Sequence, residues 1–242
     1  MNYLAMTLAL AAALSATAAD DITCVKQPMP AQAGQAANYV VNRAPLLPSR
    51  LMKLPIGSIE PRGWLRNRLR DEAKGMTGRL AEISPWLKWD GNAWADPKGK
   101  HSGWEELPYW LKGYIDLGYV LQDKRIIADS NRWVEAVLKT QRADGYFGST
   151  SNLTGSNTLE ELKKLDLWPN MVMLYVLRTH YEVTQDKRII DFMLRYYQWF
   201  MKLPLEAILP ASWQKWRGGD NLDHIYWLYN HTGEPWLLEA AR

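Results

Sequence analysis

A six-residue motif that occurs twice constrains the fold of this chain more than any other feature. Residues 122–127 read Gln-Asp-Lys-Arg-Ile-Ile, and residues 185–190 repeat that order. Each copy separates two apolar patterns of helical length, and so predicts a tight turn between two helices. A divergent third copy begins at Thr232, where Thr-Gly-Glu aligns with the Thr-Gln-Asp that begins at Thr184. The copies recur about 63 and then about 48 residues apart, a spacing that indicates stacked helical hairpins.

Apolar positions recur with a helical period over most of the chain after residue 50, so the predicted fold class is all-α, built from αα-hairpin repeats. Asp123 directly follows the first tight turn and is well placed to cap the next helix. One predicted helix runs from about Pro61 to Ala81, and another from Asp123 to Thr140. Two more end near Leu121 and His231, and two begin near Pro169 and Asp186. A further helix has barely begun at Arg242, so the chain is expected to be an incomplete fragment of a larger domain.

The connections between the predicted helices alternate between short and long. The long ones cover about 84–104, a stretch that starts at Gln141, and about 203–219. In an array of antiparallel hairpins, all tight turns fall at one end and all long loops at the other. Loops longer than about 15 residues are usually functional or disordered. Tryptophans in such a loop favour packing, because burying a tryptophan side chain gains a large hydrophobic free energy that exposure to water forgoes. Function is therefore predicted at the long-loop end.

The aromatic residues are strongly biased, with 13 Trp and 12 Tyr against 3 Phe. Trp and Tyr combine a flat ring with a polar edge, which suits sugar binding as well as core packing. The net charge of +3 arises from charges of both signs without a basic run, which argues against a nucleic-acid partner. A carbohydrate is therefore the expected partner. The loop tryptophans that serve either as sugar platforms or as packing residues include Trp86, Trp89, Trp94, Trp213 and Trp216.

Residues 1–19 have the pattern of a secretory signal peptide. Residues 4–14 are apolar but too short for a final membrane anchor, and small residues follow at a possible cleavage site. Residues 20–50 are predicted to be an irregular lead-in, and residues 51–242 to be the helical domain. A periplasmic or secreted protein with no membrane contact after cleavage is expected. Cys24 is the only cysteine, so no internal disulfide and no multi-thiolate metal site is predicted.

The helices that follow the long loops begin in a similar way. Glu105 and Asp166 each stand three residues before a proline that can occupy the first helical turn, and the corresponding position before the third turn falls on Arg217. Acidic side chains and free backbone N–H groups should gather at these helix starts. Helix capping and ligand binding both explain the acids, and a plain turn also explains Asp144. The candidate substrate-binding residues share this end of the array: Trp104, Glu105, Glu106, Asp144, Tyr146, Asp166, Trp168, Arg217 and Asp220.

Four stretches carry a resemblance to a known family: 54–65, 105–121, 141–148 and 227–233. They resemble the six-hairpin, or (α/α)6-barrel, glycosidases, and among these glycoside hydrolase family 127, the β-L-arabinofuranosidase-like family. The resemblance implies that residues 51–242 form about half of an (α/α)6 toroid, with the remainder of the barrel missing. It also implies hydrolysis of non-reducing-end β-L-arabinofuranosides in complex glycans, with retention of configuration.

The same resemblance implies a zinc-bound cysteine thiolate as nucleophile and a glutamate as general acid/base. It places these residues beyond Arg242, so no cofactor site and no assigned catalytic residue is expected within this chain, which is expected to be inactive by itself. Where the family has substrate-contacting histidines near the start of the fourth helix, this sequence has Leu165 and Val172.

Two other functions remain open at this stage. A polysaccharide lyase or an unsaturated glucuronyl hydrolase on the same scaffold needs a cation for the uronate carboxylate, and Arg217 is the candidate at the long-loop end. A non-catalytic helical repeat would instead bind a glycan or a protein. Repeats of that kind keep a nearly constant length, whereas the long loops of this chain differ in length. The unequal loops therefore favour a closed barrel with a site.

Overall fold

The helices of this protein pair into antiparallel hairpins. The computed structural model describes residues 40–96, Lys98, residues 103–150, Glu160 and residues 165–242. These residues belong to one compact unit, Ala31–Arg242. The predicted signal segment and Cys24 lie outside the described residues.

Every regular element among the described residues is helical, which confirms the all-α prediction. In chain order the α-helices are α1 (Gly63–Lys74), α2 (Met76–Ile83), α3 (Glu106–Leu121), α4 (Lys124–Lys139), α5 (Trp168–Thr184), α6 (Lys187–Phe200), α7 (Ser212–Trp216), α8 (Gly218–Thr232) and α9 (Trp236–Ala240). Two 3-10 turns, Pro85–Leu87 and Leu205–Ala207, lie within predicted long loops, and α7 lies within the third of these loops. No described helix combines the length and the apolar composition that crossing a membrane requires.

Each tight turn is formed by one residue with a left-handed backbone. Gln122, Gln185 and Gly233 have φ angles of 56°, 57° and 78°, and they end α3, α5 and α8. A left-handed residue at this position turns its N–H back toward the carbonyl groups of the last helical turn. The predicted helical hairpins are therefore confirmed at all three copies of the motif.

The polar residues of these turns also repeat their hydrogen bonds. Thr184 Oγ1 and Thr232 Oγ1 each accept the backbone N–H two residues ahead at 3.3 Å. Asp123 and Asp186 cap α4 and α6 by accepting a backbone N–H of the first helical turn at 3.0 Å, as their type and position predict. The alignment of the divergent third copy with the second is thus visible in its hydrogen bonds.

The helices form an inner and an outer layer. Helices α3, α5 and α8 lie side by side, with α4, α6 and α9 packed against them. Asp116 of α3 accepts a hydrogen bond from Thr179 of α5 at 3.0 Å, and Tyr181 of α5 packs edge-on against Trp227 of α8 at 5.4 Å. The inner helices therefore run parallel, each from a long loop to a tight turn. The described residues thus form three such hairpins, α3–α4, α5–α6 and α8–α9.

The prediction of one helix over about 61–81 is wrong, because the chain forms α1 and α2 with a break at Gly75. A Cβ atom on Gly78 would lie 1.7 Å from the carbonyl oxygen of Ala73. Only glycine at position 78 therefore allows α1 and α2 to approach this closely. Arg125 of α4 donates to Ala73 O at 2.9 Å and to Gly78 O at 3.0 Å. The arginine thereby satisfies two carbonyl groups near the break.

The described parts of the first two long loops are packed into the core, as their aromatic content predicts. Phe147 of the second long loop lies 4.8 Å from Phe192 and 5.0 Å from Tyr196, both on α6. Its carbonyl oxygen accepts a hydrogen bond from Asn170, in the first turn of α5, at 2.8 Å. Trp94 of the first long loop is fully buried. These contacts hold the loops in fixed positions against the starts of the inner helices.

Candidate functional site

The starts of the three inner helices meet at the long-loop end. The ring of Trp104, before α3, lies 6.5 Å from that of Trp213 in α7. Tyr109 of α3 lies 6.0 Å from Trp168 at the start of α5. We call the residues that connect these three helix starts the rim cluster: Trp104, Glu105, Tyr109, Asp166, Trp168, Trp213, Gln214 and Arg217.

Two tryptophans of the rim cluster cross-link α3 and α5 through acidic side chains. Trp104 Nε1 donates to Asp166 Oδ2 at 2.6 Å, and Trp168 Nε1 donates to Glu105 Oε2. An indole N–H is purely a donor, and an ionised carboxylate accepts a shorter and stronger hydrogen bond than a neutral group does. Each acid at one helix start is thus fixed by the indole from the other.

Asp166 links the start of α5 to its neighbours. Its Oδ1 atom accepts the backbone N–H of Trp168 at 3.0 Å, in the first turn of α5, which satisfies one of the free N–H groups there. The same atom accepts a hydrogen bond from Gln214 of α7 at 3.3 Å. Asp166 therefore caps α5 and also joins that helix start to the segment before α8.

Arg217 closes the rim cluster from the side of α8. Its guanidinium group lies over the ring of Trp168 at 4.1 Å, within the distance of a cation–π contact. Its Nη1 atom donates to the hydroxyl of Tyr109 at 3.2 Å. The arginine thus bridges α3 and α5 while it remains exposed to solvent.

Glu106 and Asp220 lie next to the rim cluster on α3 and α8. Glu106 Oε2 is buried and has no hydrogen-bond partner among the described residues, so it is a free acceptor at this end of the inner layer. Asp220 Oδ1 accepts a hydrogen bond from the hydroxyl of Tyr175 at 3.0 Å. Burial, followed by the charges of Asp223 and Asp220, raises the pKa of Tyr175 above its usual value, so the phenol stays protonated and acts as a donor.

Asp144 and Tyr146 do not join the rim cluster. Asp144 accepts the backbone N–H of Tyr146 at 3.1 Å and pairs with Arg142 at 2.9 Å, which is the behaviour of a turn residue. Tyr146 is fully buried and donates its hydroxyl to the carbonyl oxygen of Ser149 at 2.8 Å. Both residues shape the second long loop, and the tyrosine has no exposed surface.

The other loop tryptophans divide between packing and exposure. Trp94 is buried and donates to the carbonyl oxygen of Trp104 at 2.9 Å, so it helps to fix the backbone of that rim residue. Trp89 packs against Trp133 of the outer helix α4 at 4.5 Å. Trp86 and Trp216 are exposed.

Sequence reasoning missed several polar residues of the inner layer. Tyr109 and Gln214 belong to the rim cluster, and Lys112 lies over the ring of Tyr175 at 4.0 Å. The available signal was the spacing on α3, where Tyr109, Lys112 and Asp116 recur every three or four residues and so share one helical face. Leu165 and Val172, at positions where the resemblance implies histidines, are both buried.

The histidines of the described residues lie in the helices rather than in the rim cluster. His224 of α8 is fully buried, with Nε2 donating to Met171 O at 2.8 Å and Nδ1 facing Arg178 at 3.1 Å. Burial lowers the pKa of His224 well below its usual value, and burial also lowers the pKa of His180 and of His231. These contacts give the three histidines a structural role in the packing of the helices.

The resemblance implies a zinc–thiolate site, and its ligands are not grouped among the described residues. Within residues 40–96, 103–150 and 165–242, no group of three or more His, Cys, Asp or Glu side chains is arranged to hold a metal ion. Cys24, the only cysteine of the chain, lies outside these ranges.

Comparison with protein families assigns the helical part of the chain. Residues 62–242 match the model of the β-L-arabinofuranosidase GH127 catalytic domain. Comparisons with curated proteins and with solved structures give no significant match. The family match covers most of the chain, including all of the helices described above. The chain belongs to glycoside hydrolase family 127, the β-L-arabinofuranosidase-like family.

Proposed function

We propose that this chain supplies the sugar-binding part of a β-L-arabinofuranosidase-like retaining glycoside hydrolase that acts on complex glycans, with the rim cluster binding the sugar to be released. The single observation that supports this proposal most strongly is the crossed pair of bonds from Trp104 to Asp166 and from Trp168 to Glu105. It brings two ordered carboxylates and two aromatic rings to one end of the inner helices.

The rim cluster offers both components of sugar recognition. Trp104 is 40% exposed and Tyr109 is 45% exposed, so part of each ring is open to a ligand. Aromatic rings take up the apolar C–H face of a sugar, and carboxylates accept hydrogen bonds from its hydroxyl groups. Glu105 and Asp166 each hold one oxygen on an indole, which leaves further lone pairs for such hydroxyl groups.

The engagement of these two carboxylates favours binding over proton transfer. A glycosidase uses one carboxyl group as acid and another as base or nucleophile across the scissile bond. Glu105 and Asp166 are each held in place by an indole N–H, which is the geometry of a side chain that orients a ligand. We therefore assign these residues to substrate orientation, and leave the acid/base pair unassigned.

Binding measurements on the whole protein test this proposal. Titration with methyl β-L-arabinofuranoside, followed by calorimetry, should give saturable binding. Trp104→Phe and Trp168→Phe keep an aromatic ring but remove the indole donor, so each carboxylate loses its partner and affinity should fall on the order of tenfold. Trp64→Phe is the matched control, because Trp64 is an exposed tryptophan of α1 without a ring contact to the rim cluster.

Two results would count against the proposal. One is unchanged affinity in both rim variants when their melting temperatures show that they are folded. The other is a loss of affinity in Trp64→Phe that equals the loss in the rim variants. Retention of configuration is tested separately. ¹H NMR of the first product formed from 4-nitrophenyl β-L-arabinofuranoside shows whether the anomeric configuration is kept.

A further inference from the structure

A cavity lies at the opposite end of the inner helices from the rim cluster. It is bounded by the last two turns of α5 and α8 and by a lead-in segment, residues 40–55. Its volume is about 90 Å³, and it opens to solvent on one side. A water molecule needs on the order of 10–15 Å³ in such a cavity, so there is room for several water-sized groups. No residue of the rim cluster lines it.

Hydrogen bonds hold the lead-in segment in place as one wall of this cavity. Arg43 N donates to Asn230 Oδ1 of α8 at 2.9 Å, and Asn230 Nδ2 donates to Asn42 Oδ1 at 2.9 Å. Farther along the segment, Lys53 forms an ion pair with Glu182 of α5 at 2.9 Å. The wall is thus joined to both of the inner helices that bound the cavity.

Three aromatic rings form a second wall. The rings of Trp227 and His231, both on α8, lie 4.0 Å apart. Tyr181 of α5 meets these two rings edge-on at 5.4 Å and 5.3 Å. All three residues line the cavity. Aromatic rings arranged in this way give a flat apolar surface with polar edges, which suits the C–H face of a sugar.

The aromatic wall carries both an acceptor and a donor. His231 Nδ1 donates to the carbonyl oxygen of Trp227 at 2.8 Å. Burial lowers the pKa of His231, so its ring is neutral at pH 7 and its Nε2 atom is an acceptor. Trp227 Nε1 is a donor. Within the part of the chain that the structure describes, neither of these two atoms has a hydrogen-bond partner.

Arg178 adds a second donor from α5. Its side chain is 7% exposed and pairs with Asp223 through Nη1, which also faces His224 Nδ1 at 3.1 Å. The Nη2 atom of the same guanidinium group makes no hydrogen bond to any described residue. Arg178 lines the cavity, so this nitrogen is available to a ligand there.

The charged side chains that line the cavity already have partners of opposite sign. Arg178 pairs with Asp223, and Lys53 pairs with Glu182. An anionic ligand would use only the donors of the cavity, and a cationic ligand would use only the acceptors. A hydroxyl group both donates and accepts, so a ligand with several hydroxyl groups matches the mixed set.

We propose that this cavity binds one neutral monosaccharide, as a second carbohydrate site of the protein. The rings of Trp227 and Tyr181 contact the C–H face of the sugar, and His231 Nε2 and Arg178 Nη2 bond to its hydroxyl groups. The volume limits the ligand to one sugar ring, which enters through the open side. The inference does not depend on the proposed function, because the two sites share no residue.

An NMR titration of the whole protein tests this inference. Protein labelled with ¹⁵N at tryptophan is titrated with D-galactose and, separately, with D-galacturonate, which carries a carboxylate in place of the C6 hydroxymethyl group. The indole signal of Trp227 should shift saturably with galactose, and galacturonate should bind no more tightly. The indole signal of Trp199, which is as little exposed as Trp227 but lies on α6, should stay in place.

A histidine substitution tests the acceptor. His231→Phe keeps an aromatic ring but removes Nε2, so galactose should bind about tenfold more weakly, as measured on the Trp227 signal. His180→Phe is the matched control, because His180 is also a buried histidine near a tight turn but does not line the cavity. Melting temperatures show whether both variants are folded, and the wild-type titration is decisive if they are not.

Three results would overturn the inference: no shift of the Trp227 signal with galactose, tighter binding of galacturonate than of galactose, or unchanged affinity in folded His231→Phe. Its outcome is separable from that of the proposed function. A shift of Trp227 without any response of Trp104 and Trp168 to methyl β-L-arabinofuranoside supports the cavity site and counts against the proposed function. The reverse pattern leaves the proposed function standing and overturns the cavity site.

Discussion

The two ends of the helical array use the same residue types for different purposes. At the tight-turn end, Asp123 and Asp186 accept backbone N–H groups of the helices that directly follow them. At the long-loop end, Glu105 and Asp166 accept indole N–H groups from residues more than 60 positions away in the chain. Acids at one end complete a local turn, whereas acids at the other join separate helices.

The two ends therefore differ in where their polar side chains find hydrogen-bond partners. The capping acids of the tight turns find backbone donors within the next three residues. The rim cluster satisfies its carboxylates only partly and leaves an aromatic and a charged surface open. Mutations of the capping acids should therefore change stability alone, and mutations in the rim cluster should change binding first.

The largest expected effect tests whether the long loops are as rigidly built as the tight turns. Gly145 has φ of 108°, and a Cβ atom there would lie 2.2 Å from the carbonyl oxygen of Arg195. Gly145→Ala should lower the free energy of unfolding by about 3 kcal/mol or more, because backbone strain and a backbone clash combine. Gly113→Ala is the control, since nothing lies within 4 Å of its Cβ position. A loss below about 1 kcal/mol for Gly145→Ala in urea unfolding would mean that the loop adapts.

Acid should weaken the helices through their buried histidines. Burial lowers the pKa of His180, His224 and His231 below the usual value of 6.5, so the unfolded chain binds protons that the native chain refuses. Stability is then complete above about pH 6.5 and falls as the pH drops below it, by up to about 1.4 kcal/mol per unit for each such histidine. Urea unfolding between pH 7.5 and pH 5 measures the slope, and His224→Gln should reduce it. An unchanged slope in that variant would contradict the assignment.

Loss of a turn acid should have a moderate effect on stability and none on binding. Asp186→Ala removes the cap of α6 and should cost about 1 kcal/mol, whereas Asp186→Asn keeps a capping acceptor and should cost less. The side-chain hydrogen bond from Arg188 lowers the pKa of Asp186, but this pair is largely exposed on the arginine side and adds little. Asp191→Ala, at an exposed position of α6, is the control. A changed affinity for methyl β-L-arabinofuranoside in Asp186→Ala would break the separation between the two ends.

The smallest expected effect concerns Asp144, a rim candidate that the structure places in a turn. Asp144→Ser keeps a side-chain oxygen for the N–H of Tyr146 and should change the free energy of unfolding by less than about 0.5 kcal/mol. Its affinity for methyl β-L-arabinofuranoside should equal that of the wild type. A tenfold weaker affinity would return Asp144 to the binding site.

The sequence was most informative where structure is set locally. The repeated Gln-Asp turns follow from left-handed and capping residues that act within a few positions, and so the hairpins could be predicted. The break at Gly75 could not, because it depends on the approach of Ala73 to Gly78 and on Arg125 from another helix. The rim acids could be placed at one end of the array, but their partners lie across it. Lys112 and Tyr109 were missed because only the assembled inner layer gives them neighbours.

The most direct test of the rim cluster as the ligand site is an NMR titration of the indole N–H groups. Protein labelled with ¹⁵N at tryptophan would be titrated with methyl β-L-arabinofuranoside, and each resonance assigned by single Trp→Phe substitutions. The indole signals of Trp104 and Trp168 should shift as the ligand binds. Those of Trp110, which donates to Thr77 O at 2.9 Å, and of Trp133, which is buried on the outer helix α4, should stay in place. Shifts confined to Trp110 or Trp133, or no shift at saturating ligand, would contradict the assignment.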